Sequence, residues 1–125
     1  MPARTVVRHR WAEIPFESIT PSITRKFITA DRLTLAQFEL KRGSIVPRHS
    51  HESEQITYMI SGALKFTMDG QEVVVRAGEV LQIPSWLEHA AEALEDSVAF
   101  DVFSPVRQDW VDRTDHYFNQ PPRAQ

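Results

Sequence analysis

The sequence predicts an all-β domain, a sandwich or barrel of short strands, and three observations carry that reading. Runs rich in β-branched and aromatic residues succeed one another along most of the 125 residues. Turn dipeptides punctuate these runs, and apolar residues almost never recur at helical spacing. Nothing repeats internally.

Taken in order, residues 1–22 hold three prolines and scattered apolar side chains (Trp11, Ile14, Phe16, Ile19), which predicts an arm packing over a barrel. Strand-like runs then follow at 23–30 and 33–40, separated by Asp31-Arg32 and closed by Arg42-Gly43. The next runs, 55–60 and 64–68, flank Ser61-Gly62, and Asp69-Gly70 leads into 72–76. Asp-Gly between two strand runs is the dipeptide of a type I′ hairpin, because both central residues need φ > 0. Ala77-Gly78 precedes the run at 80–83, and the last run is 98–103. The predicted barrel domain is 23–118, and residues 119–125, with Pro121-Pro122, read as a disordered tail. Trp11 and Trp110 suit core or interface anchors. His116-Tyr117-Phe118 either lids a pocket or packs at a seam, and packing is favoured.

Composition removes several classes of function. The chain has no cysteine, which excludes disulfides, zinc–thiolate sites and cysteine nucleophiles. A formal charge of −3 with mixed signs offers no basic stripe for nucleic acid. Residues 1–11 are Arg-rich but lack the apolar run of a signal peptide. No stretch approaches the roughly 20 apolar residues of a membrane span. The expectation is a cytoplasmic protein that binds neither membrane nor nucleic acid.

Three of the five histidines form a spaced pattern: His49-Ser50-His51, then Gln55, then His89. Residues 49, 51 and 55 share one face if the chain is extended, since strands alternate sides. Two imidazoles on one face, joined by a third from a neighbouring strand, can converge on one ion. Glu52 and Glu54 are nearer carboxylates, but their parity turns them away unless a bulge resets the register. Gln55 is the better fourth ligand.

Gly43-x5-His49-x-His51-x3-Gln55-x6-Gly62 resembles the first motif of the cupin superfamily, with Gln55 where Glu is usual. Gly78-x5-Pro84-x-Trp86-x2-His89 resembles the second, with Trp86 where Gly is usual. The resemblance implies a jelly-roll barrel (RmlC-like), one divalent metal ion inside it, and a homodimer. Three imidazoles and an amide accept Zn, Ni, Mn, Co or Fe. Such a neutral ligand set leaves the ion's charge uncompensated, which makes it a stronger Lewis acid and departs from the two-His-one-carboxylate triad of Fe(II) oxygenases.

The run 98–103 carries a second signal. Asp101 and Phe103 share a face in an otherwise almost wholly apolar strand, where a carboxylate is costly unless paired or useful. An ion pair with Arg107 is the structural alternative to catalysis. His49-x-His51-x2-Glu54-Gln55-Ile56-Thr57-Tyr58, Ser61-Gly62, His89 and Asp101-x-Phe103-x-Pro105-x-Arg107 together resemble the KdgF family of small cupins from pectin degradation. That family linearises 4,5-unsaturated monouronates released from pectin or alginate. The resemblance implies metal ligands at His49, His51, Gln55 and His89, and catalytic roles for Asp101 and Arg107. Ring opening needs a base for the anomeric hydroxyl, which suits Asp101, and a grip on the carboxylate of a small-molecule substrate, which suits Arg107. Phe103 becomes a pocket wall or core packing, and Trp86 stands beside the pocket. Two alternatives stay open: a cupin dioxygenase, and a non-catalytic cupin that binds a ligand through its metal.

Overall fold

This computed structural model describes residues 5–119. Ten strands form two antiparallel sheets: β1 (Glu17–Thr20), β2 (Ile23–Thr29), β3 (Thr34–Leu40), β4 (Ile45–His49), β5 (Glu54–Ser61), β6 (Ala63–Met68), β7 (Gln71–Arg76), β8 (Val80–Ile83), β9 (His89–Ala93) and β10 (Ser97–Ser104). One sheet has the order β1-β2-β3-β10-β5-β8 and the other β4-β9-β6-β7. A short helix α1 (Gln108–Val111) and a 3₁₀ turn (His116–Asn119) follow, and another 3₁₀ turn, Trp11–Glu13, precedes β1. This is an all-β jelly roll. No helix among the described residues is long and apolar enough to cross a membrane.

Alternation along the strands builds the interior. On β5, residues 55, 57 and 59 are buried while 54, 56, 58 and 60 are exposed. On β10, Ser97, Ala99, Asp101 and Phe103 are buried. Ile23, Phe38, Leu40, Met59, Leu64, Phe66, Ile83 and Ala99 fill the space between the sheets. Trp110 closes one end, its ring edge-on to Phe103 at 5.0 Å and to Phe38 at 5.8 Å. Gly62 lets the chain cross between sheets from β5 to β6: its φ is +84°, and a Cβ there would overlap the Asp96 carbonyl and the Ser97 hydroxyl.

The seven expected runs coincide with β2, β3, β5, β6, β7, β8 and β10. Three strands escaped the pattern, for physical reasons. β1 is only four residues, between Pro15 and Pro21. β4 contains Pro47, which has no N–H for a ladder, and its register with β9 slips between Val46 and His49. β9 reads His-Ala-Ala-Glu-Ala, a composition with little β-propensity. The arm is therefore not only a cover: β1 pairs with β2 as the sheet's edge, while Trp11 packs on Phe100 at 5.8 Å and its indole donates to Gln37 Oε1 at 2.6 Å. Most of the expected disordered tail, 120–125, lies outside the described residues.

Candidate metal centre and active site

His49, His51 and His89 come together by a different route from simple alternation. His49 ends β4, and β9 lies beside it with His89 directly opposite in register. His51 follows in the loop that carries the chain to β5 in the other sheet, where Gln55 faces inward. The set thus spans both sheets and their crossing, and one ring nitrogen from each histidine falls within 4.8 Å of the others.

Backbone carbonyls select the nitrogen that each ring presents. Nδ1 of His49, His51 and His89 lies 2.8 Å from the carbonyl oxygens of Pro47, Ser53 and Leu87, respectively. A carbonyl oxygen only accepts, so each Nδ1 carries the hydrogen and each Nε2 keeps its lone pair. Burial is the main cause holding these rings neutral: it depresses His49 well below its ordinary pKa, His51 to about 4, and His89 less far. The neighbouring imidazoles and the Arg107 guanidinium add to the depression of His49 and His51.

A directed hydrogen-bond chain fixes the Gln55 amide. Thr57 Oγ1 donates to Asp101 Oδ1 at 2.6 Å, so the hydroxyl must accept from Gln55 Nε2 at 2.8 Å. The amide oxygen is thereby turned toward His51 Nε2, 3.2 Å away. Two lone-pair-bearing atoms facing each other at that distance repel unless a proton or cation lies between them, and burial keeps the proton off His51. The donor set therefore fits a divalent ion, and His49, His51 and His89 can hold one.

Asp101 is buried on the same wall. Desolvation raises its pKa from 3.8 to about 6, against the opposing pull of Thr57 and Arg107. Among the described residues only its Oδ1 is hydrogen-bonded, leaving Oδ2 available. The expected alternative of an Asp101–Arg107 ion pair is not what forms. Arg107 instead grips Asp109 with two bonds, Nε to Oδ1 at 2.9 Å and Nη2 to Oδ2 at 2.7 Å. Its guanidinium also lies 4.8 Å from the Phe103 ring centre and 4.4 Å from that of Trp110. Nη1 makes no hydrogen bond among the described residues, and Arg107 lines the same cavity as His49, Gln55, His89 and Asp101.

Phe103 is buried in that cavity wall and meets His51 edge-on at 5.5 Å. Trp86 does not reach the cavity. It stands 65% exposed on the rim of an outer groove, at a φ of +65° that a bulky residue rarely adopts. Sequence reasoning missed Thr57, although its parity with Gln55 and its position opposite Asp101 would have flagged it. Packing was favoured for Tyr117, yet its ring stacks flat on His49, 4.1 Å away with planes 2° apart, and it lines the cavity. Tyr58 sits outward and exposed.

A jelly roll with inward imidazoles from one sheet and the crossing loop, facing Gln55 of the other sheet, defines a class, and the cupin-domain family model matches residues 36–103. The chain belongs to the cupin family. It is similar to the pectin degradation protein KdgF of Dickeya dadantii (strain 3937), with 30% identity over 102 residues, covering 79% of this chain and 93% of that protein. The structure of KdgF from Halomonas sp. aligns with a TM-score of 0.74 at 31% identity, covering 79% of this chain and 94% of that one. An RmlC-like cupin from Shewanella frigidimarina NCIMB 400 has a TM-score of 0.78 at 22% identity, over 85% and 96% of the two chains, and speaks to fold alone.

Proposed function

We propose that this cupin is a metal-dependent enzyme that opens the ring of 4,5-unsaturated monouronates from pectin or alginate breakdown. The observation that carries the reading is the single cavity shared by His49 and His89 of the imidazole cluster, the Gln55–Thr57–Asp101 chain and the Arg107 guanidinium. Likeness to two KdgF proteins, one of them a pectin degradation protein by name, supports it.

In this reading His49, His51, Gln55 and His89 hold one divalent ion, of Zn, Ni, Mn, Co or Fe. Bound there, the ion supplies Lewis acidity that polarises a substrate oxygen. Asp101 Oδ2 takes the proton of the anomeric hydroxyl. The C1–ring oxygen bond breaks, C1 becomes the aldehyde, and the electron pair leaves on the former ring oxygen as an enolate. Protonation at C4 then gives the ketone, so the proton gained by Asp101 can be returned and the reaction is a net isomerisation. An acid that titrates near 6 suits both taking and giving a proton near neutrality. Arg107 Nη1 receives the substrate carboxylate, while the two bonds to Asp109 hold the guanidinium in place. Phe103 supplies an apolar wall and keeps water from the carboxylate.

A dioxygenase is the second reading, and the neutral amide of Gln55 in place of a carboxylate weighs against it. The expected homodimer has a matching surface: Ile56, Tyr58, Ile60, Val80 and Val102 lie exposed together on the outer face of β5, β8 and β10. Elemental analysis followed by assay on unsaturated monouronates tests the main reading. Bound metal with loss of the conjugated double bond's absorbance supports it, and oxygen consumption without uronate turnover selects the dioxygenase.

A further inference from the structure

Tyr117 stands where two spaces meet. The cavity at the imidazoles holds about 50 Å³. Outside it lies a groove of about 570 Å³, lined by His51, Trp86, Asp109 and His116 among others. His49 and Tyr117 are the residues common to both linings. Water takes about 30 Å³ in the liquid, and ligand pockets run to roughly 300 Å³ or more, so the inner cavity alone admits no sugar ring. His49 and His51 also face the groove, but Asp101 and Arg107 line only the inner cavity, so a ring acid reaches them only when Tyr117 moves.

What Tyr117 does in that position resembles a ligand. Its six-membered ring lies flat on His49, and its hydroxyl is 3.3 Å from Arg107 Nη2. The indole N–H of Trp110, buried and without a hydrogen-bond partner of good geometry, lies beside the same hydroxyl. A planar ring on an imidazole, with oxygen turned to a guanidinium and an indole N–H, is the outline of a ring carboxylate. A buried indole donor without a partner is costly, and a carboxylate oxygen would satisfy it.

We propose that Tyr117 is the specificity-determining residue of this site: it occupies the subsite of the substrate ring and yields only to flat ring acids that replace both its stacking and its oxygen. The inference deepens the proposed function and rests on it for the identity of the natural acid. An unsaturated uronate, flattened by its double bond and carrying a coplanar carboxylate, fits this exchange; a saturated uronate chair does not lie flat on His49. The segment is held by one buried and one surface ion pair, and the surface pair can be loosened without touching the cavity. Asp115 pairs with Arg25 at 3.0 Å and Arg113 with Glu17 at 2.6 Å, and Arg113 itself sits at φ +59°. These bonds set the cost of displacement.

Benzoate, a flat ring acid that has no hemiacetal to open, tests the subsite apart from any turnover. Calorimetric titration of metal-loaded protein compares the wild type with Tyr117→Ala and with Arg113→Ala, an exposed substitution that loosens the segment. Refilling the vacated space should make benzoate bind Tyr117→Ala about tenfold or more tighter than wild type, while toluene gains less for want of a carboxylate. Arg113→Ala should bind benzoate roughly two- to fivefold tighter, as loss of one exposed ion pair allows. Equal benzoate affinity in wild type and a folded Tyr117→Ala, or equal gains for toluene and benzoate, overturns the proposal. If Tyr117→Ala does not fold, unchanged affinity in Arg113→Ala overturns it. Failure of uronate turnover with the benzoate results intact tells against ring opening and leaves the subsite standing.

Discussion

Replacing Asp101 by Asn separates a catalytic carboxylate from a structural one, because the two roles predict opposite effects on stability. Burial raises the Asp101 pKa from 3.8 to about 6. A folded-state value above the unfolded one means that the fold favours the protonated acid. Its stabilising contribution is therefore complete below the unfolded value and is lost as pH rises through the folded one. At about 1.4 kcal/mol per unit, the shift amounts to about 3 kcal/mol of destabilisation near neutral pH that a neutral Asn does not carry. Asn can still accept from Thr57. The variant should thus melt on the order of 10 °C above wild type at about pH 8 and nearly with it at about pH 4, measured on metal-free protein by circular dichroism. Its kcat should meanwhile fall by roughly 10²–10⁴. A variant less stable than wild type at both pH values, with activity per folded molecule intact, would refute the reasoning: Asp101 would then be an ionised structural group.

Four further outcomes follow from the site and its frame. His51→Ala or His89→Ala should lose most bound metal by elemental analysis, since each removes one of three convergent imidazoles. Because the three histidines are held neutral with depressed pKa values, their contribution is present above the ordinary value of 6.5 and is lost as pH falls toward that of His51 at about 4. The metal-free protein should accordingly lose stability across that window in denaturant titrations. Arg107→Ala should raise KM for an acidic substrate and also cost about 2 kcal/mol of stability, because it leaves Asp109 without its two bonds; Arg107→Lys should restore more of the stability than of the KM. Gly62→Ala should destabilise strongly, by about 3 kcal/mol or more of unfolding free energy from denaturant titration, since its Cβ meets the Asp96 backbone at a positive φ.

Much of this was legible in the sequence where physics is local. Period-two alternation placed Gln55, Asp101 and Phe103 inward, and Asp69-Gly70 marked the turn between β6 and β7. What escaped depended on tertiary geometry. His49 and His51 are brought to one point by a sheet crossing, not by the shared strand face that parity predicts. The partner of Arg107 is Asp109, two residues on, because α1 begins there and folds the carboxylate back onto the guanidinium. Tyr117 shows no pattern in sequence that separates a pocket residue from a packing one; only its stack on His49 does so. Thr57 was readable, since it shares parity with Gln55 and stands opposite Asp101 in the ladder.

The most direct measurement is a proton NMR time course of a 4,5-unsaturated monouronate with metal-loaded wild type, chelator-treated wild type and Asp101→Asn. The account predicts rapid loss of the C4 vinyl proton and growth of the linear keto form with the loaded wild type, restored after chelation by added divalent metal, and slowed by roughly 10²–10⁴ in Asp101→Asn. A spontaneous rate unchanged by fully loaded wild-type protein would contradict it.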